Sequence, residues 1–429
     1  MLFLKTLFIF TITFKVLTAQ QTFEEFKLQQ EKDFSDFKNT IDEEYQFFKK
    51  SEDKAYKIFK KNIEREWNHF KESSPDIYVS YDNDFLSRSI IDFDNGEMTI
   101  EVIIKEEEIK TGHHDGSFDS LFGNISRFGL SYIGKSIPIL NFYFKPFVPQ
   151  TADHVYMEFE RMGGEPLLQN LGQTKLFKKL IKILSEKDGN GDRLLENQIK
   201  DDKGSPLNLE TSMKTFAKNI IQKKSKQDKS YIGKNGGKRR SFSLKFDLHK
   251  NHKNVRSNKY GKQIVKQSKR FNIDPAIAMA VTETESSFNP KATSHIPAYG
   301  LMQLVPSSGG RDAYNYVYNK DKFLGKRYLY KPDNNIELGC AYLSKIRYKY
   351  FKGILDEEKA MLCTIAAYNT GAGNVCKAIS NTTRFAPTIK KVNQMSSKKL
   401  YKTLLKNLEY DETKNYLEKV WDRKDKYKS

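Results

Sequence analysis

The stretch VTETESSFNP, beginning at Val281, holds two glutamates separated by one residue, Glu283 and Glu285. A glutamate serves as a general acid at neutral pH only when its charged form loses hydration, which raises its pKa. Helix geometry decides which of the two meets that condition. Asp274-Pro275 reads as an N-cap followed by a first-turn proline, so a helix starts there. Ile277, Val281 and Glu285 then fall at i, i+4 and i+8 on one face, with Ala278 beside them. Glu283 shares a different strip with Ala276 and Met279. The spacing makes Glu285 the candidate general acid and leaves Glu283 to one side, as a supporting or solvent-facing neighbour.

The helix must stop at SSFNP, because Pro290 cannot continue it. KATSHIPAYGLMQLVPSSGG follows, a Gly-, Pro- and Ser-rich loop able to fold over a cleft. No Asp or Glu occurs between Ser286 and Arg311. Most glycosidases need a second carboxylate as nucleophile or base, so a lone raised-pKa glutamate must find its nucleophile elsewhere, for instance in a substrate hydroxyl. A second segment, CTIAAYNTGAGNV (363–375), leads through a small apolar helix to Tyr368-Asn369 and a turn with Gly371 and Gly373. Tyr368 is expected to donate a hydrogen bond to the catalytic carboxyl, and the glycines permit close backbone approach to a sugar. DGNGDRLLENQI (188–199) has the look of a calcium loop, but Arg193 replaces the required Gly and Ile199 the bidentate Glu, so it reads as a turn. Cys340, Cys363 and Cys376 have apolar neighbours and allow at most one disulfide. No metal and no cofactor are expected.

Taken together, TESSFNPKATS…AYGLMQLVP, then ELGCAYL, AAYNTGAGNV and DETKNYLEKV resemble the lytic transglycosylases of the soluble-lytic-transglycosylase superfamily, which have a goose-lysozyme-like fold. The likeness covers roughly 251–425. More weakly, 76–250 resembles the α+β domain of a lipoprotein branch of that superfamily. The resemblance implies that Glu285 is the acid/base and that Ser286, Ser294, Met302, Gln303, Tyr368, Asn369 and Tyr416 bind substrate or border its groove. It implies cleavage of peptidoglycan between N-acetylmuramic acid and N-acetylglucosamine, with a 1,6-anhydro end formed by the sugar's own C6 hydroxyl. Two alternatives stay open: a hydrolytic muramidase using a further carboxylate such as Asp312, and a wall-binding scaffold without catalysis.

The elements that must position this chemistry lie in a chain of 429 residues, long enough for two or three domains. Residues 1–19 place Lys5 before an apolar run and small residues at Thr18 and Ala19, which reads as a secretory signal. The expected location is therefore the periplasm or cell envelope. With no cysteine before Cys340, a thioether-linked lipid anchor is not expected. Residues 20–74 form a second region, within which 23–71 repeat every 11 residues, pairing aromatics from Phe23/Phe26 to Trp67/Phe70. Eleven residues make three helical turns, so one helix of about 75 Å is expected, suited to self-association or to a spacer role.

Residues 75–250 read as an α+β domain: IYVSY, SRSIIDF and MTIEVII as strands, Asp94-Asn95-Gly96 as a hairpin turn, helices near 173–185 and 209–222, and SFSLKFDL as a returning strand. Residues 251–429 read as mainly α and lysozyme-like. The fold class is thus α+β and multidomain, with a long N-terminal helix. From Lys214 to Arg270 stand 19 Lys/Arg against Asp228 and Asp247, a balance of 19 − 2 = +17. In an exported protein that stretch favours anionic envelope polymers or a membrane surface, not nucleic acid.

Overall fold

In the computed structural model the described residues are 43, 46–106, 165–228, 230–294 and 297–428. The expected signal sequence, most of the 11-residue repeat and residues 107–164 lie outside them. Two compact units divide the chain at Lys61 and Asn62. In the first, residues 46–61 are helical, with Tyr56 and Phe59 of the fourth repeat on the surface.

In the second unit this helix continues only to residue 66, short of the expected end at 71. The fifth aromatic pair has better use elsewhere. Ile63 and Trp67 are buried against Leu86 and Ile103, and the Trp67 indole donates to the Phe85 carbonyl at 2.6 Å. The Arg88 guanidinium covers the same ring at 3.9 Å. Burying large aromatic surface outweighs one more helical turn.

A six-stranded antiparallel sheet follows: β1 (Ile77–Tyr81), β2 (Ser87–Asp92), β3 (Glu97–Lys105), β4 (Ser225–Gln227), β5 (Tyr231–Ile232) and β6 (Lys238–Asp247). The order is β1-β2-β3-β6-β4, with β5 also on β6. The expected hairpin joins β2 to β3, and Gly96 supplies the positive φ of 73° that its turn requires. Met98, Ile100 and Val102 of β3, with Phe242, Leu244 and Phe246 of β6, alternate onto one face. That face packs on α1 (Glu165–Leu184) and α2 (Glu210–Lys224) through Leu176, Leu180, Met213 and Ala217.

The remaining helices are α3 (His252–Arg270), α4 (Pro275–Ser286), α5 (Gly309–Tyr318), α6 (Lys326–Leu329), α7 (Pro332–Lys345), α8 (Glu357–Thr370), α9 (Ala372–Ser380), α10 (Phe385–Asn393), α11 (Ser397–Asn407) and α12 (Asp411–Arg423). They enclose one apolar core in which Cys340, Cys363 and Cys376 are free and buried. The single disulfide that the sequence allowed is not formed. Burial raises all three thiols above their ordinary pKa.

The sheet buttresses the loop that leaves α4. Ser287 and Phe288 both have positive φ, 50° and 59°. Two such side-chain-bearing residues in a row cost on the order of 1–3 kcal/mol each and persist only where surroundings hold them. Here Ser287 donates to Asp76 at 3.1 Å, and Asn289 donates to the Pro75 carbonyl at 3.1 Å. The buried Arg256 of α3 bonds the Ser287 carbonyl at 2.9 Å, Gln198 at 2.7 Å and the Phe93 carbonyl at 2.5 Å.

Much of the charge of the basic stretch 214–270 meets acids within the fold. Ion pairs with acids outside the stretch take up Lys214, Lys223, Lys234, Lys238, Arg239 and Arg240. Lys245, Lys253, Lys259 and Arg270 are paired likewise, so ten of the nineteen cations have a carboxylate partner. Strand pairing and domain packing bring those acids in from Glu64 to Glu337. Asp188 of the calcium-like loop is one such partner, accepting from Tyr260 at 3.0 Å and pairing with Lys259 at 3.1 Å. No His, Cys, Asp and Glu cluster able to hold a metal occurs among the described residues, and no helix there is long and apolar enough to cross a membrane.

Candidate active site

α4 begins as its sequence demands. Asp274 caps it by accepting from the Ala276 amide at 2.8 Å, and Pro275 occupies the first turn. Every residue from Ala276 to Glu283 is buried, so the helix runs through the core until its last turn. Glu285 sits there with only partial access to solvent. Desolvation by the surrounding protein raises its carboxyl to about 8, against a hydrogen-bonding influence from Tyr416 that lowers it, while the like charge of Glu412 adds to the rise. A carboxyl so placed holds its proton at neutral pH.

Glu283 has the opposite environment. Burial alone would raise it, but bonds from Lys426 and Tyr427 and the fields of Lys426 and Arg423 more than offset that, and it falls below the usual glutamate range. Lys426 lies 2.9 Å from one oxygen and the Tyr427 hydroxyl donates to the other at 2.8 Å. Glu283 is a buried anion clamped by the end of the chain, not a solvent-facing residue.

The loop from Ser294 to Leu304 is shaped by short β-bridges, Thr293 with Tyr299 and Tyr299 with Leu304. Gly300 turns it with φ 79°, and a Cβ there would fall 2.4 Å from both the Asn335 amide and the Leu329 carbonyl. Asn335, fully buried on α7, holds the loop by donating to the Tyr299 and Leu329 carbonyls and accepting from the Met302 amide at 2.7 Å. Gln303 follows with φ 45°; its amide nitrogen bonds the Gly300 carbonyl at 2.9 Å while its buried Oε1 has no partner. The buried Tyr416 hydroxyl likewise makes no full-geometry hydrogen bond, although it faces Glu285 closely enough to act on it. Unpartnered buried polar atoms are rare, which leaves the Gln303 Oε1 open to a ligand's donor.

Several residues expected to touch substrate are placed otherwise. The Ser286 hydroxyl is fully buried, bonding the Leu301 carbonyl at 2.7 Å and the Thr282 carbonyl at 3.1 Å, so it ties helix to loop. Met302 is wholly buried against Gly339 and does not line the cleft. Tyr368 does not donate to the catalytic carboxyl. Its hydroxyl donates to the Met302 carbonyl at 2.8 Å, fixing the loop from the opposite wall. The Tyr416 hydroxyl takes the place beside Glu285 instead. Asn369 accepts from Thr413 of α12 at 2.7 Å. Ser294 accepts from the Ala298 amide at 3.1 Å within the loop. Asp312 is held by Lys345 and Tyr350 at 3.1 and 3.2 Å and is no partner for Glu285. The residue overlooked is Glu412, the carboxylate whose field reaches Glu285. It stands four residues before Tyr416, a spacing that puts both on one helical face.

A buried acid on a core helix, a bridged loop and a tyrosine-bearing wall define a class. Residues 262–390 match the Transglycosylase SLT domain, and residues 33–114 match the N-terminal domain of membrane-bound lytic murein transglycosylase C. The chain carries the SLT domain over those residues and is a homologue of the lytic murein transglycosylases.

Among individual relatives, it is 28 % identical over 348 residues to membrane-bound lytic murein transglycosylase C of Salmonella arizonae, covering 81 % of each chain. It is 34 % identical over 226 residues to the protein of that name from Klebsiella pneumoniae, covering 53 % of this chain and 60 % of the relative. Among solved structures, an inactive variant of lytic transglycosylase Slt from Pseudomonas aeruginosa aligns at 25 % identity and TM-score 0.29, over 39 % of this chain and 23 % of that one.

Proposed function

We propose that the protein cleaves the β-1,4 bond between N-acetylmuramic acid and N-acetylglucosamine in peptidoglycan strands, leaving 1,6-anhydromuramic ends, and that it works in the cell envelope. The observation that carries this reading is the Glu285 carboxyl, raised to about 8 at the last turn of a core helix, with the Tyr416 hydroxyl acting on it. Protonated Glu285 donates to the glycosidic oxygen and the C1–O bond breaks, with the muramic acetamido group assisting the positive charge. The ionised Glu285 then removes the proton of the same residue's C6 hydroxyl. That oxygen closes on C1, and the carboxyl is protonated again. No water is consumed.

Burial serves both steps, because it lifts the carboxyl's pKa toward neutrality and so makes each proton transfer easier. Gln303 Oε1 and the Asn369 amide are the polar groups set to hold the sugars, with Tyr416 orienting the carboxyl. Two tyrosine hydroxyls thus do different work: Tyr416 acts on Glu285 itself, and Tyr368 shapes the loop.

The test is the mass of muropeptides released from sacculi by residues 20–429 and by the Glu285→Gln form. Products one water lighter than hydrolytic fragments, absent with Glu285→Gln, are expected. A hydrolytic muramidase is the second reading, favoured by the like charge of Glu412 on Glu285. It requires reducing-end products that disappear with Glu412→Gln. A folded protein that releases nothing sinks both and leaves a binding role.

A further inference from the structure

The 214–270 stretch spends much of its charge on internal partners, yet another part of the chain does not. Between Gly371 and Leu408 stand Lys377, Arg384, Lys390, Lys391, Lys398, Lys399, Lys402 and Lys406, and not one Asp or Glu. These eight cations belong to α9, α10 and α11 and the turns between them. Lys377 reaches Glu409 at a loose 3.5 Å; the other seven have no ion pair among the described residues. Lys398, Lys399, Lys402 and Lys406 are all exposed on α11. Unneutralised like charges on one lobe raise the local potential and draw anions.

Position matters as much as charge. The lobe starts at Ala372, directly after the Tyr368-Asn369 pair and the Gly371 turn of the candidate site. A cavity of about 440 Å³ opens there, its polar lining made by Asn374, Lys377, Asn381, Lys391 and Asn407 with the single carboxylate Glu409, which Lys377 faces. Asn407 is pinned by its bond to the Ala378 carbonyl at 2.9 Å, and it also borders the concave side of α11 beside Lys399, Lys402 and Lys406. Carboxamides and ammonium groups therefore predominate along α9 and α11, a lining suited to peptide backbone and carboxylates and poorly suited to apolar ligands.

We propose that the α9–α11 lobe docks the carboxylate-bearing stem peptides of the strand whose glycan lies in the cleft. The inference rests on the proposed substrate: a peptidoglycan strand carries peptides with free carboxylates on its muramic residues, beside the bond to be cut. Lysines at the end of the cleft hold the polymer by its charged branches while the sugars remain free to advance.

Binding separates this from the catalytic reading. In the Glu285→Gln background, which removes turnover, Lys399, Lys402 and Lys406 are changed together to Gln. All three are exposed, so the fold is expected to survive, and an unchanged melting temperature checks this. Pelleting is measured with intact sacculi, with glycan strands stripped of peptides by an amidase, and with phosphatidylglycerol vesicles. The expected result is about tenfold weaker binding to intact sacculi for the triple variant, on the scale of long-range charge steering, with no change on bare strands. Equal loss on intact and bare strands, or no loss on either, overturns the proposal. Loss confined to vesicles also overturns it and makes the lobe a membrane-facing surface. If the Glu285→Gln parent binds neither sacculi nor strands, the substrate reading has failed first, and the product masses register that failure independently.

Discussion

Two carboxyls lie two residues apart on α4, and the protein treats them in opposite ways. At the end of the helix Glu285 has no cation beside it among the described residues, and desolvation pushes it up to about 8. On the adjoining strip the buried Glu283 receives an ammonium and a phenol, and drops below the ordinary range. Burial alone therefore does not decide the charge of a glutamate. What decides it is whether the surroundings supply compensating donors. The unpaired member suits proton transfer, and the paired member suits anchoring the C-terminal segment.

The largest expected effect is on the first of the pair. Glu285→Gln lowers turnover on sacculi by about 10²–10⁴, the usual worth of a positioned acid/base, whereas Glu283→Gln retains most of the activity. Equal losses would erase the distinction.

Next is Tyr416→Phe, expected to cut kcat by about ten- to a hundredfold, since it removes the one donor that acts on the catalytic carboxyl. Because Tyr416 lowers that carboxyl's pKa, the falling alkaline limb of kcat/KM should move to higher pH in the variant. In the parent protein that limb falls near pH 8, where Glu285 loses its proton. Tyr368→Phe, by contrast, should leave the limb in place.

Stability gives a third contrast, with signs that differ between the two residues. For Glu285 the folded pKa of about 8 exceeds the unfolded value of 4.5. Between those limits the native state binds the extra proton, so stability falls as pH rises from 4.5 to 8. Glu285→Gln should therefore melt at a higher temperature than the parent at pH 8 and at nearly the same temperature at pH 4. For Glu283 the folded pKa is depressed. Its contribution is present above the unfolded value and is lost as pH falls through the folded one.

Glu283→Gln should then lower the melting temperature at pH 7 and lose that deficit in acid. The deficit is expected to be smaller, roughly 1–3 kcal/mol, since a half-exposed lysine is one of its partners. Calorimetry of both variants across pH 4–8 checks the two slopes together.

Much of this was open to reading along the chain. Asp274-Pro275 set the start of α4, the i, i+4, i+8 row put Glu285 at its inner end, and Asp94-Asn95-Gly96 made the hairpin. In each case the cause lies within a few residues: a cap, a helical period, a turn that needs positive φ. Alternation in β3 and β6 likewise fixed which side chains would face α1 and α2.

The partners could not be read in this way. Tyr368 closes the apolar run of α8 while Tyr416 stands midway along the charged α12, and only the packing of those helices sends one hydroxyl to the Met302 carbonyl and the other toward Glu285. Glu283 meets Tyr427 across 144 residues of chain. The fifth aromatic pair of the repeat leaves its helix because the sheet edge offers Trp67 a deeper place. The 214–270 stretch looked like a cationic surface until the fold brought acids to ten of its side chains, while the less conspicuous run from Lys377 to Lys406 kept its charge exposed. Local periodicity sets which way a side chain faces. Charge and hydrogen bonding depend on what stands opposite, and only the folded chain brings those groups within reach.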